Sequence, residues 1–279
     1  MLQRKKTIFA AKSFNLKKKN RMGELGEMKP RKLWGYFEEI CKIPRLSKNE
    51  GRIRAYLLEF AKQHNLEAKE DHVGNILIVR EAAPGKEKVM TVVLQSHLDM
   101  VGEKNASHPH NWAEDPIIPV IDGKWVTASG TTLGADDGIG IAAQMAVLTD
   151  PNLQCGRIEC LFTVDEESGM TGAINLKPDF LTGRILLNLD SEDEGILYIG
   201  CAGGIDTQAF LTYTPERVTT GHRAMNSSVT GLHGGHSGDE IHKGYVNSIK
   251  IITRLLQDLE KKYDIRISNF SGGNLRNAI

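Results

Sequence analysis

Residues 158–167 read Ile-Glu-Cys-Leu-Phe-Thr-Val-Asp-Glu-Glu. The apolar run Ile158–Val164 has the length and composition of a buried strand. The three acids that end it are unfavourable there unless a cation or a hydrogen-bond network neutralises them. Working outward, Met90–Leu94 leads into Ser96-His97-Leu98-Asp99, and Ile185–Leu189 leads into Asp190-Ser191-Glu192. Asn75–Val79 is a further strand. Between these runs, a helix starting at Asp136/Asp137 turns Ile139, Ala142, Ala143, Ala146 and Val147 inward. Two helical stripes precede them, Trp34/Phe37/Ile40/Cys41 and Ile53/Tyr56/Leu57/Phe60. Ser47, with Glu50 three residues later, reads as the N-cap of the second. Ile117–Ile121 and Trp125–Thr127 flank Asp122-Gly123 as a hairpin, after a polar surface loop over 105–115. Strands alternating with helices predict an α/β sheet covered on both faces.

The pattern changes beyond Gly203. Asp206–Tyr213 and Ser227–Leu232 alternate like half-exposed strands, Ile249, Ile252, Leu255, Leu256 and Leu259 mark one amphipathic helix, and Ile265–Ser268 reads as another strand. The expected organisation is a basic tail over 1–27 outside the fold, an α/β domain over 28–203, and the beginning of an α+β domain over 204–279.

Composition narrows the function classes. With 40% apolar and 25% charged residues in 279, the chain is ordinary globular material rather than a disordered one. No apolar run approaches the ~18 residues of a membrane-spanning helix. The formal net charge of zero argues against nucleic-acid binding. It hides an asymmetry: residues 1–21 hold eight Lys/Arg and no acid, leaving 27 basic and 35 acidic residues in the remainder. Cys41, Cys155, Cys160 and Cys201 show no metal-ribbon spacing and read as reduced thiols of a cytoplasmic protein.

Four His- or acid-bearing segments fall at predicted strand ends or helix starts, where open α/β sheets place their sites. His97 and Asp99 are two apart on a strand and share a face. Gly134-Ala135-Asp136-Asp137-Gly138-Ile139-Gly140 opens a helix, and its glycine density implies a tight backbone beside a ligand. Asp165-Glu166-Glu167 and Asp190 complete the set. One imidazole among carboxylates suits a divalent cation, and two cations can share a carboxylate. No G-x-S-x-G elbow or distinctive cysteine context supports a serine or thiol nucleophile. The residues alone leave open a metal hydrolase, a structural cation site, or simple helix capping by the acids.

The motifs SHLDMV, GTTLGADDGIGIA, FTVDEESGMTGA, NLDSEDEGILYIGCAGG and GLHGGHSGDEIHKG, in this order, resemble those of the aminoacyl-histidine dipeptidases. These belong to the dizinc metallopeptidase family that also contains aminoacylase, carnosinase and glutamate carboxypeptidase. The resemblance runs from about Pro30 to the last residue. It implies a zinc-peptidase-type mixed sheet with helices on both faces, an incomplete lid domain, and two Zn2+ for which Co2+ or Mn2+ substitute. It assigns His97, Asp136, Glu167 and Asp190 as metal ligands, with Asp136 bridging and followed by a cis peptide bond. Asp99 would orient His97, Glu166 would be the general base, and His236 would polarise the substrate carbonyl.

The implied activity is hydrolysis of unblocked dipeptides, Xaa-His included, in the cytoplasm, with homodimerisation of the full-length form and no nucleic-acid or membrane partner. The alternatives are an N-acyl amino acid deacylase or carboxypeptidase on the same scaffold, or a catalytically impaired metal-binding fragment. Tyr245-Val246-Asn247 departs from the family's Arg-Ala-Asn. Family chains also continue through the lid and supply one further zinc-binding histidine, so the sequence reads as the N-terminal part of a longer protein.

Overall fold

The structure is a computed structural model that describes residues 25–191, 193, 195–201, 203, 207–235 and 240–273. The chain divides into two compact units, Met1–Leu197 and Tyr198–Ile279.

The first unit is built on a five-stranded mixed sheet. Its strands are β1 (Glu67–Glu70), β2 (Ile76–Arg80), β3 (Val92–His97), β6 (Ile158–Thr163) and β7 (Ile185–Asn188), in the order β1-β2-β6-β3-β7. β1/β2 and β2/β6 pair antiparallel, whereas β3 runs parallel to both β6 and β7. The separate hairpin β4 (Pro119–Asp122) and β5 (Trp125–Ala128) forms as the sequence predicts, but its turn is Gly123-Lys124, one residue later than expected, because Asp122 still pairs with Trp125.

One face of the sheet is covered by α1 (Arg31–Cys41), α2 (Gly51–Gln63) and α3 (Ala135–Leu148). Phe37, Ile40, Ile53, Leu57, Ile141 and Met145 meet Ile76, Ile78, Cys160 and Phe162 in one cluster. Each large apolar side chain buried there contributes roughly 1.5–3 kcal/mol. The other face carries Leu77, Val79, Val93 and Leu161 under Phe180, with Leu176 and Leu181 beside it. This second layer follows two one-turn helices, α4 (Glu166–Gly169) and α5 (Thr171–Ile174). Alternate residues of β2 and β6 therefore serve opposite layers, and the continuous apolar run at 158–163 is buried at every position.

Several expectations are corrected. The fold begins before Met28, because Leu25–Glu27 forms a 3-10 turn whose Leu25 is buried in the first layer. β7 is a strand, but all four residues are exposed, since among the described residues it pairs only with β3. The polar β1 is an edge strand that apolar patterning could not reveal.

In the second unit, α6 (Ser248–Glu260) is capped by Asn247, whose side chain accepts from the Lys250 N–H at 3.1 Å. The strands expected over 206–213, 227–232 and 265–268 do not form among the described residues. Alternation supplies a face but not a partner, and without a neighbouring ladder it does not make a strand.

Candidate metal centre

The three parallel strands end on the same edge of the sheet, with His97 opposite Thr163 and Gln95 opposite Asn188. That register puts His97 beside the 165–167 turn, with Asp190 two residues past β7. α3 supplies the remaining acids: Asp136 and Asp137 lie in its first turn with non-helical backbone angles, and the peptide bond between them is cis.

His97 and Asp99 are fully buried. The imidazole Nδ1 stands 3.3 Å from Asp99 Oδ1, and Nε2 lies 2.8 Å from Asp136 Oδ1 and 3.9 Å from Asp190 Oδ2. Donor atoms of His97, Asp136 and Glu167 lie within 4.8 Å of one another, as do those of His97, Asp137 and Asp190. Four sequence-predicted ligands, His97, Asp136, Glu167 and Asp190, thus converge on one spot. His236 lies outside the described residues.

The acids 165–167 do not directly end the strand, as the sequence suggested. β6 stops at Thr163, Asp165 turns the chain in the left-handed region, and Glu166 and Glu167 open α4. The Glu166 and Glu167 N–H groups donate to Asp99 Oδ1 and Oδ2 at 2.9 and 3.1 Å. Asp99 therefore anchors three things at once: the imidazole, the turn bearing both glutamates, and the Ser47 hydroxyl, which donates to Oδ2 at 2.7 Å. Ser47 is consequently not the N-cap of α2. That position is Glu50, whose carboxylate accepts from the N–H groups of Lys48 and Asp165 at 2.9 and 3.0 Å. Glu50, Asp99 and Asp165 form a second acidic group behind the first. Main-chain N–H groups and the hydroxyls of Ser47, Ser168 and Thr171 donate to their carboxylates, so this group supports the turn.

Sequence reading also missed Asp137 and Gln144, both buried. Asp137 accepts from the N–H groups of His97 and Gly140 at 3.3 and 3.1 Å. Gln144 donates to the carbonyls of Leu94 and Leu161 at 2.7 and 3.1 Å, tying α3 to two strands. A glutamine on a helix face carries no local signal for that role. The glycine density of the α3 turn has an internal cause as well. A Cβ at Gly134 or Gly138 would stand 2.7 Å from the Arg45 guanidinium, so these glycines admit a side chain of the protein itself.

The electrostatics follow from crowding. Burial alone would lower the His97 pKa, but the hydrogen bond to Asp136 and the Asp99 carboxylate 3.3 Å away push it up to about 11. Burial would raise Asp99; His97, the Glu166 N–H and the Ser47 hydroxyl outweigh it and hold the carboxyl at about 2. The His97 hydrogen bond lowers Asp136. Burial, with neighbouring negative charge, pushes Asp137 and Glu167 to about 7 and Asp190 to about 6. A cluster that holds protons this tightly has the charge and donors for a cation. The proton between His97 Nε2 and Asp136 is the one a divalent ion would displace, leaving Nδ1–H on Asp99. The residues fit such an ion.

A cavity of about 170 Å³ adjoins this cluster on the other sheet face, with Glu166 and Asp190 in its wall beside Leu161, Val164, Met170 and Leu186.

The chain is 47% identical over 258 residues to the cytosol non-specific dipeptidase of Escherichia coli, covering 92% of this chain and 53% of that protein. The crystal structure of aminoacylhistidine dipeptidase from Vibrio alginolyticus superposes with a TM-score of 0.65 at 43% identity, over 91% of this chain and 52% of that one. A tripeptidase structure from Staphylococcus aureus shares the fold, with a TM-score of 0.50 at 20% identity over 89% of this chain and 62% of that one. The chain thus spans about half the length of its two more similar relatives. No family model matches it.

Proposed function

We propose that the chain belongs, over the length it spans, to the aminoacyl-histidine dipeptidase family of metallopeptidases, and that it carries the metal-binding half of a hydrolase for unblocked dipeptides, Xaa-His among them. The observation that carries this reading is the convergence of His97 with Asp136, Glu167 and Asp190 at the ends of parallel strands. In this reading those four residues would be this chain's ligands to two Zn2+, for which Co2+ or Mn2+ would substitute, with Asp136 common to both sites. A bound divalent cation supplies a water of lowered pKa and a Lewis acid for the peptide carbonyl.

The chain's own residues do the rest. Asp99 keeps the His97 proton on Nδ1, so that Nε2 offers its lone pair. The Glu166 carboxylate takes a proton from the attacking water and returns it to the leaving amine. His236 is assigned to the substrate carbonyl, and residues 204–279 to the lid, through which the longer form dimerises. The cytosolic location of the Escherichia coli relative supports the same location here. Among the described residues no helix is long and apolar enough to cross a membrane.

The test is hydrolysis of a dipeptide and of its N-acetyl form, with and without a chelator. Chelator-sensitive cleavage of the free dipeptide alone is the expected result. Preference for the acetylated form would instead place the protein among the deacylases. Metal binding without cleavage of either would make it a metal-binding fragment.

A further inference from the structure

Arg45 is buried, yet all three of its side-chain hydrogen bonds described in the metal region go to main-chain carbonyls rather than to carboxylates. Its Nη1 donates to the carbonyls of Leu98 at 2.9 Å and Asp99 at 2.7 Å, the two residues that follow His97. Its Nη2 donates to the carbonyl of Gly134, two residues before Asp136. Gly134 and Gly138 leave the space in which this guanidinium sits. Its charge also faces Asp99, Asp137 and Asp136, offsetting part of the negative charge gathered there.

Resting on the metal-centre reading above, we propose that Arg45 is a positioning residue of that centre. A single rigid guanidinium joins the end of β3, which carries His97, to the turn before α3, which carries Asp136, and so sets the separation of two ligands on different elements. The planar fork matters as well as the charge. Three carbonyls approaching from two segments match the fixed directions of guanidinium N–H groups, whereas an ammonium on a flexible stem cannot meet them together.

Two variants separate these contributions. Arg45→Lys keeps the charge and loses the fork. Gly138→Ala keeps the arginine and displaces it. Arg80→Lys is the control, because Arg80 makes the same kind of contact, to the carbonyls of Val147 and Leu153, at the opposite end of α3. Each protein, as the whole chain, is titrated with Co2+ while its visible absorption and its circular dichroism are followed. Arg45→Lys and Gly138→Ala are expected to weaken Co2+ binding at least ~10-fold, the lower bound for lost supporting contacts. Both should shift the visible band, whereas Arg80→Lys leaves affinity and band unchanged.

Wild-type affinity and spectrum in either site variant would overturn the proposal. So would an equal shift in the Arg80 control, which would mark general destabilisation. Site variants that stay unfolded in saturating Co2+ would show Arg45 to be a folding residue and overturn it too. Failure of the unaltered chain to bind Co2+ would sink the metal-centre reading itself, and this inference with it.

Discussion

Asp99 binds the Ser47 hydroxyl and two main-chain N–H groups in a buried setting. Asp99→Ala strands those donors, and each unsatisfied buried group is worth roughly 1–3 kcal/mol. The variant should lose about 3 kcal/mol or more in urea denaturation, and its cation affinity should fall 10–100-fold by equilibrium titration. Glu166→Gln should behave differently. Removing a general base lowers turnover ~10²–10⁴-fold, while cation content after dialysis stays near that of the unaltered protein. Loss of metal in step with activity would mean that Glu166 is a ligand. Proton balance gives a third expectation. Glu167 and Asp190, raised to about 7 and 6, must shed protons to hold a cation, so affinity should fall as pH drops from 8 to 5. Calorimetry in buffers of different ionisation enthalpy reads the protons released.

At the level of elements, Glu159 is a buried acid on β6 that accepts from the N–H groups of Thr182 and Gly183 at 2.9 and 3.0 Å, and from the Thr182 hydroxyl. It pins the segment that feeds β7 onto the sheet. Burial would raise its pKa, but the Thr182 and Gly183 donors and nearby Arg157 outweigh it and lower the carboxyl. A depressed carboxylate contributes stability that is fully present above its unfolded pKa of ~4.3 and lost as pH falls through the folded value. Glu159→Gln should therefore blunt acid unfolding below about pH 4, read by circular dichroism. How far the sequence discloses all this differs from element to element. Ile158–Thr163 was legible because burial on both faces leaves an unbroken apolar run. The segments bearing His97, Asp136, Glu167 and Asp190 stood out as His or acids at predicted strand ends or a helix start, whereas their assignment as ligands came from the motif resemblance. Arg45, Ser47 and Glu50 were not, since their partners lie 52 to 115 positions away along the chain. Nor could alternation over 206–213 disclose that no ladder forms there among the described residues.

Across the molecule, the raised carboxyls of Asp137, Glu167 and Asp190 set the response to acid. A carboxyl raised by folding subtracts stability above its unfolded pKa, so the cation-free chain should grow more stable as pH falls from 8 towards 5. Bound cation should remove that trend and raise the melting temperature, by about 2.7 kcal/mol of stability at a hundredfold excess over Kd. The cysteines offer a clock for the same event. Cys201 is exposed, while Cys41 and Cys160 are buried between α1 and the sheet, where burial pushes the first thiol up to about 12 and raises the second. A maleimide added to the native chain should mark Cys201 at once. It should reach partly buried Cys155 next, and Cys41 and Cys160 only when the layer between helix and sheet parts, so the lag before labelling of those two, located by peptide mapping, measures the lifetime of the closed state.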